Sequence, residues 1–144
     1  MSLVRLFLCV LLTGVTTSSV WAQEQALGER VPSDVVDRVS TAFSKGDAEL
    51  LLTPAADRVE VSLFGTRSFY SSAQSFYVLR HFFESHPPAS FTLDDTTASG
   101  PSCFVQGRFQ PARADRVLQV YVRLVRQGEN TWRLHEVRIG SGGE

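Results

Sequence analysis

The chain has 144 residues, and its 14 lysines and arginines nearly balance 15 aspartates and glutamates, for a formal net charge of −1. This length suits one domain of ordinary size. The slightly acidic balance, without a recognition motif, argues against nucleic acid as a partner. Of the two cysteines, Cys9 lies in the first apolar segment. Cys103 therefore has no partner for a disulfide within the domain, and we predict it to be a small buried residue.

The first 22 residues are laid out like a secretory signal peptide. Arg5 gives a positive start, residues 6–15 form an apolar run, and Val20 and Ala22 stand at the small-residue positions that a signal peptidase recognises. The run is shorter than the roughly 20 apolar residues of a membrane-spanning helix, which disfavours the alternative of an uncleaved anchor. We therefore predict cleavage after Ala22, export to the periplasm or beyond the cell, no membrane span, and a mobile polar lead-in over residues 23–31.

Two helices are predicted next in the chain. Pro32-Ser33 opens the first, with Ser33 as its N-cap, because the apolar residues that follow fall on one face and the first turns are acidic. Gly46 ends this helix, since glycine readily adopts the left-handed conformation of a helix C-terminus. Asp47 then caps a short second helix that Pro54 stops.

The rest of the chain alternates strands with turns and contains one further helix. Two strands flank Gly65 as a hairpin, and Ser71 or Ser72 then caps a third helix that runs to about Glu84. A meander of four antiparallel strands follows, separated by turns rich in glycine and proline. The predicted strands are residues 59–64, 67–70, 90–96, 103–109, 116–126 and 131–139.

Several short strings, together with this order of elements, resemble a known family. The strings are Ser40-Thr41-Ala42-Phe43 with Gly46-Asp47, Tyr70-Ser71, Phe82-Phe83, Pro87-Pro88 with Ser90-Phe91, and Leu134 with Arg138-Ile139. The chain is similar to a family of small exported bacterial proteins, a domain of unknown function within the nuclear-transport-factor-2-like, or cystatin-like, fold class. The resemblance implies an α+β domain over residues 32–139, in which helices pack on a strongly curved antiparallel sheet that forms a cone, with a flexible tail over residues 140–144. The resemblance implies no catalytic residues for this chain.

Alternation along the predicted strands places apolar side chains towards the helices and polar side chains on the outer face of the sheet. The inward set includes Phe91, Leu93, Val105, Phe109, Leu118, Val120, Val122 and Leu124. The outward set includes Asp94, Gln106, Arg108, Gln119, Tyr121 and Arg123. In the last strand the parity changes after Leu134, which predicts a β-bulge at His135-Glu136.

Two non-catalytic hypotheses follow from this distribution. The first is an exported binding module whose cone takes an apolar small molecule. Its pocket would be lined by Phe76, Phe83, Val120, Val122, Trp132 and Leu134. The second is an interaction protein that forms a homodimer, or binds another partner, through Arg108, Tyr121 and Arg123 on the outer face.

The third hypothesis is an enzyme, such as a small isomerase or dehydratase, which would need titratable groups inside the cone. The alternation sends Asp94 and Tyr121 outward, so no catalytic residue is predicted. His135 and Glu136 at the bulge are either an acid/base couple or neighbouring polar residues on a bent, exposed edge. We recognise no set of metal ligands and no cofactor-binding loop.

Overall fold

Three helices and six strands make up the computed structural model, which describes residues 31–142. In chain order they are α1 (Ser33–Lys45), α2 (Ala48–Leu51), β1 (Ala55–Leu63), β2 (Thr66–Ser71), α3 (Ser72–Ser85), β3 (Pro88–Ser99), β4 (Ser102–Pro111), β5 (Leu118–Gln127) and β6 (Thr131–Ser141). The predicted signal peptide and all but the last residue of the predicted lead-in lie outside the described residues. Within residues 31–142, no helix combines the length and the hydrophobicity needed to span a membrane.

The strands form one sheet in the order β2-β1-β6-β5-β4-β3. The hairpin β1–β2 and the meander β3–β6 pair antiparallel, as predicted. The remaining contact, between β1 and β6, is parallel, and the long connection through β2, α3 and the meander allows this direction, which a short hairpin does not. This long-range contact brings the hairpin next to the last strand, and it creates the surface described below.

The ends of the helices agree with the predictions except at one residue. Ser71 caps α3 with a capping box. The Ser71 side chain accepts a hydrogen bond from the Gln74 backbone N–H, and the Gln74 side chain accepts one from the Ser71 backbone N–H. Asp47 caps α2 by accepting from the Leu50 backbone N–H at 2.9 Å. The prediction for Ser33 was wrong, since Ser33 is already helical and Pro32 precedes α1 without a side-chain cap.

Phenylalanine rings occupy the space between the helices and the sheet. The ring of Phe43 on α1 lies 5.6 Å from that of Phe83, 5.1 Å from that of Phe91 and 6.3 Å from that of Phe109, measured between centroids. Phe43 and Phe109 are fully buried, and Cys103 is buried among the apolar residues of the sheet, as predicted. The interior is therefore packed with the chain's own aromatic side chains.

The facing predicted for β4 and β5 is confirmed. Val105, Phe109, Leu118, Val120, Val122 and Leu124 are buried, whereas Gln106, Arg108 and Gln119 are exposed. Leu93 is the exception on β3, because it is 41% exposed. It pairs with Gly107, whose surface the ring of Phe91 already covers, and a bulge follows directly after it.

The last strand is longer than predicted. β6 continues to Ser141, where Gly140 pairs with Gln119 and Ser141 with Leu118. The flexible tail predicted from residue 140 therefore overlaps the strand at its first two positions.

Candidate functional site

The predicted bulge in β6 is present and lies at His135. Glu136 is paired with Arg123 of β5, and Leu134 is paired with Leu124, so His135 is an extra residue between them. Because of this extra residue, Leu134 before the bulge and Val137 after it both lie on the buried face, which explains the change of parity in the sequence after Leu134. It also turns His135 and Glu136 towards the outer side of the sheet.

Glu136 lies beneath the outer surface and is held by two arginines. Its side chain is 6% exposed. Arg123 Nε donates to Glu136 Oε2 at 3.1 Å, and Arg138 Nε donates to Glu136 Oε1. Both oxygens are thus used by guanidinium groups, and the described residues contain no hydrogen bond between His135 and Glu136. The two residues therefore do not form the hydrogen-bonded acid/base couple that their adjacency allowed.

A row of outer-face residues crosses four strands at this level. Phe69 of β2 is opposite Glu60 of β1, Glu60 is opposite Glu136, and Glu136 is opposite Arg123. Glu60 has its own partner, because Arg67 Nε lies 2.9 Å from its Oε1. The two carboxylates of the row are therefore both neutralised by arginines.

A cleft of about 360 Å³ opens on this row, lined by Arg58, Phe69, Arg123 and His135. Phe69 is 59% exposed. The guanidinium carbon of Arg58 lies 5.8 Å from the centroid of the Phe69 ring, within the range of a cation–π contact. Arg58 forms no ion pair with the residues that the structure describes. Two cations, an imidazole and an exposed phenyl ring thus border one cavity.

Positive charge dominates around the cleft. Arg58 and Arg123 line the cleft, Arg138 contacts Glu136, and the charge of Arg133 acts on His135. These guanidinium groups outnumber the two carboxylates of the row, Glu60 and Glu136. Burial, and then the charges of Arg123 and Arg133, lower the pKa of His135 below its ordinary value. The imidazole is consequently neutral at neutral pH, and its Nε2 is shielded from solvent without a hydrogen-bond partner among residues 31–142. The cleft therefore carries an unbalanced positive potential.

The predicted interface residues lie on the same outer face. Arg108 is paired with Asp94, with Nη2 and Oδ1 2.9 Å apart. The guanidinium carbon of Arg138 lies 5.1 Å from the centroid of the Tyr121 ring. Burial, and then the charge of Glu136, raise the pKa of Tyr121, against the opposing effect of Arg138 and Arg123. Only Arg123 of the three predicted interface residues lines the cleft.

The residues predicted to line an apolar pocket lie together as part of the packed core, in which Phe83 is also buried and against which Phe76 packs. Val120, Val122, Trp132 and Leu134 are all at most 5% exposed and belong to the core. Phe76 and Phe83 line two clefts on the helical side, of about 370 and 280 Å³, both of which also contact Lys45, Gly46 and Arg80.

Sequence reasoning missed Arg58 and Phe69. Their signal is present in the hairpin, because Val59 and Val61 set the buried parity of β1 and leave Arg58 and Glu60 on the outer face. A tight turn at Gly65 then sets Phe69 opposite Glu60. Among residues 31–142, no group of three or more His, Cys, Asp or Glu side chains is placed to hold a metal ion.

Helices on one side of a six-stranded sheet, with the outer face of the sheet left open, make up the nuclear-transport-factor-2-like (NTF2-like) fold. An NTF2-like protein of unknown function from Silicibacter pomeroyi has this fold, with a TM-score of 0.55 and 11% identity over 76% of this chain and 91% of its own. The model of the domain of unknown function DUF4783 matches residues 36–140. The chain therefore belongs to the DUF4783 family, as the resemblance of its sequence strings predicted.

Solved members of this family superpose more closely. A DUF4783 protein from Bacteroides ovatus is 21% identical over 81% of this chain and 100% of its own, with a TM-score of 0.69. A second, from Bacteroides uniformis, is also 21% identical, over 75% of this chain and 97% of its own, with a TM-score of 0.68. No curated protein matches the chain significantly. These similarities establish the fold and the family.

Proposed function

We propose that this protein is a non-catalytic binding module whose site is the outer-face cleft lined by Arg58, Phe69, Arg123 and His135. The observation that carries the proposal is the guanidinium group of Arg58, which borders the cleft beside Arg123 without a carboxylate partner among the described residues. Unpaired guanidinium groups at the wall of a concave site favour an anionic ligand. The ligand is therefore a small anion rather than a purely apolar molecule.

The packing of the interior supports placing the site on the outer face. The rings of Phe43, Phe83, Phe91 and Phe109 contact one another in the space where an apolar ligand would have to lie. A guest there would have to displace several buried rings, each worth about 3–5 kcal/mol of packing when removed. The outer cleft needs no such rearrangement.

The chemistry of the cleft supports binding rather than catalysis. General acid–base catalysis needs a titratable group that is free to exchange a proton with the substrate. Glu136 is occupied by two arginines, and His135 is flanked by cations that disfavour its protonated form. Glu136 and His135 therefore have a structural role, in which Glu136 orients the arginines beside the cleft.

An NMR titration of the purified protein tests the proposal. Small anionic, neutral and cationic fragments are added separately, and the backbone amide shifts are followed. We expect anionic fragments to shift the amides of Arg58, Phe69, Arg123 and His135. The proposal fails if no fragment of any charge shifts these amides, or if the shifts cluster at the helical-side clefts.

Arg58→Gln gives the matched loss of charge within the cleft. Arg58 is exposed and forms no ion pair with the part of the chain that the structure describes, where its side chain lies near the Phe69 ring, so the variant should fold normally and lose most of the response to anions. Arg113→Gln removes the same charge from the exposed turn between β4 and β5 and should leave the response unchanged. An equal effect of both variants would mean that only the net charge of the protein matters.

Self-association through the outer face is a second candidate, favoured by the polarity of that face. Its β3 edge carries the exposed Asp94 and Asp95, whereas β5 and β6 carry Arg123 and Arg138. In a two-fold symmetric dimer, each acidic edge would meet the arginines of the other copy. Sedimentation should then show a dimer that weakens with salt. A monomer at every concentration tested excludes it.

Asp95→Lys should abolish that dimer, because it reverses a charge on the β3 edge. Asp115→Lys reverses the charge of an exposed residue in the β4–β5 turn and serves as the control. The candidate also fails if both variants sediment like the parent protein.

Export is the remaining part of the proposed function. The basic start, apolar run and small residues before Gln23 support a cleaved secretory signal. The N-terminal sequence of the protein recovered outside the cytoplasm should begin at Gln23. A product that keeps Met1 and stays with the membrane would contradict cleavage.

A further inference from the structure

We infer that the outer-face cleft selects a small monocarboxylate that carries a flat apolar group, with an aromatic carboxylate as the simplest example. This inference rests on the proposed function and specifies the ligand class of the same site. Three features carry it, namely the guanidinium of Arg58 without an ion pair among the described residues, the carboxylate of Glu136 next to Arg123, and the exposed ring of Phe69.

The first feature selects a planar anion. Arg58 has no ion pair among the described residues. Arg123 donates to Glu136 through Nε, and the terminal nitrogens of Arg123 take part in no hydrogen bond with the described residues. A guanidinium group presents paired N–H donors that match the two oxygens of a carboxylate. The cleft thus offers two such forks to one ligand.

The second feature limits the ligand to one negative charge. Glu136 lies beside the cleft, with its Oε2 3.1 Å from Nε of the lining residue Arg123, and it already neutralises part of the local positive charge. A dianion such as a phosphate monoester would place a second charge close to this carboxylate. Like charges at short range in a partly desolvated site are unfavourable, so a single carboxylate is preferred.

The third feature favours a flat apolar group next to the carboxylate of the ligand. The ring of Phe69 is 59% exposed and forms one wall, with the Arg58 guanidinium 5.8 Å from its centroid. A ligand ring stacked on Phe69 would bury that exposed surface, which should lower Kd by roughly two- to ten-fold beyond the effect of the buried area. A volume of about 360 Å³ lies near the small end of ligand sites, so it suits one ring rather than several.

Three matched probes separate these features. Calorimetric or NMR titrations are run with benzoate, with acetate, which has the charge without the ring, and with benzyl alcohol, which has the ring without the charge. We expect the Kd for benzoate to be lower than that for either partial probe by about ten-fold. Acetate binding as tightly as benzoate overturns the need for a flat apolar group. Phenyl phosphate binding more tightly than benzoate overturns the restriction to one charge.

Two variants assign the effects to their residues. Phe69→Ala should weaken benzoate to the level of acetate, a loss of about ten-fold, while leaving acetate itself unchanged. Arg58→Gln should weaken both carboxylates and leave benzyl alcohol unchanged. Tyr77→Ala removes another exposed aromatic ring, on α3 and outside the cleft, and should change nothing.

The outcomes distinguish this inference from the function on which it rests. If no anionic probe reaches the cleft, the proposed binding function itself is wrong. If acetate and benzoate both bind there with equal affinity, the site is an anion site and only the ligand class is wrong. If an acidic peptide binds in the cleft while benzoate does not, the occupant is a protein segment and the small-molecule assignment is overturned.

Discussion

The ring of Phe91 lies against Gly107, so closely that a β-carbon at residue 107 would come within 2.8 Å of the ring's Cε2 and 2.6 Å of the Thr92 carbonyl oxygen. A carbonyl of the neighbouring strand cannot move aside without disturbing the sheet. We therefore expect Gly107→Ala to lower the free energy of unfolding by about 1–3 kcal/mol, the usual cost of overpacking. Urea denaturation followed by circular dichroism measures it.

Gly140→Ala is the control for this prediction, because it adds the same methyl group to another strand. The nearest atom to its β-carbon would be the Phe64 Cα at 3.9 Å, an ordinary contact. Its stability should stay within about 0.5 kcal/mol of the parent protein. Equal losses in both variants would show that loss of glycine, and not the Phe91 ring, is responsible.

The thiol of Cys103 should be chemically inert in the folded protein. It is fully buried, and burial raises its pKa to about 11. Iodoacetamide reacts with the thiolate, so alkylation of Cys103 should be negligible in native protein and fast in urea, as read by peptide mass spectrometry. Ser44→Cys places a thiol on the exposed side of α1 and should react at once. Rapid native alkylation of Cys103 would contradict its burial.

The environment of His135 should make the fold sensitive to mild acid. Its pKa in the folded protein is lowered by burial and by Arg123 and Arg133, so as the pH falls below about 6.5 the unfolded chain takes up the proton first. Stability should therefore decrease from neutral pH towards the lowered pKa and then level off. His135→Gln removes this contribution and should flatten the urea midpoint plotted against pH.

The matched substitution for this measurement is His81→Gln, which removes an exposed imidazole from α3. It should reproduce the pH profile of the parent protein. A His135→Gln profile that is as steep as the parental one would mean that other groups set the acid sensitivity.

Glu136→Gln should change stability and binding in opposite directions, lowering the free energy of unfolding while strengthening the binding of benzoate. The amide loses the charge that Arg123 and Arg138 share and keeps one acceptor oxygen, so we expect a loss of about 1–3 kcal/mol in the free energy of unfolding. The same change frees Arg123 and makes the cleft more positive, so benzoate should bind more tightly. Glu129→Gln, in the turn between β5 and β6, should alter neither quantity. Weaker benzoate binding by Glu136→Gln would contradict the charge argument.

Local patterns in the sequence predict most of the fold. The alternation in β5, the caps at Asp47 and Ser71 and the change of parity after Leu134 each report backbone geometry through neighbouring residues. The predicted burial of Leu93 was wrong, because its environment depends on the Phe91 ring of the same strand and on Gly107 of the neighbouring strand.

The candidate site could be predicted only in part for the same reason. His135 and Glu136 stand out locally, because a polar pair interrupts an apolar alternation. The cleft also needs Arg58 and Phe69, which reach it through the parallel contact between β1 and β6. That contact joins strands from opposite ends of the domain, and no local periodicity reports it. Sequence reasoning therefore identified one side of the cleft and placed the ligand inside the cone.

A crystal soaked with 4-iodobenzoate tests the central claim, that the site lies on the outer face, most directly. The anomalous signal of iodine locates the ligand without prior assumptions. We predict a peak in the cleft beside Phe69, with the carboxylate within hydrogen-bond distance of Arg58. A peak between the helices and the sheet, near Phe43, or at the helical-side clefts beside Lys45, would contradict the account.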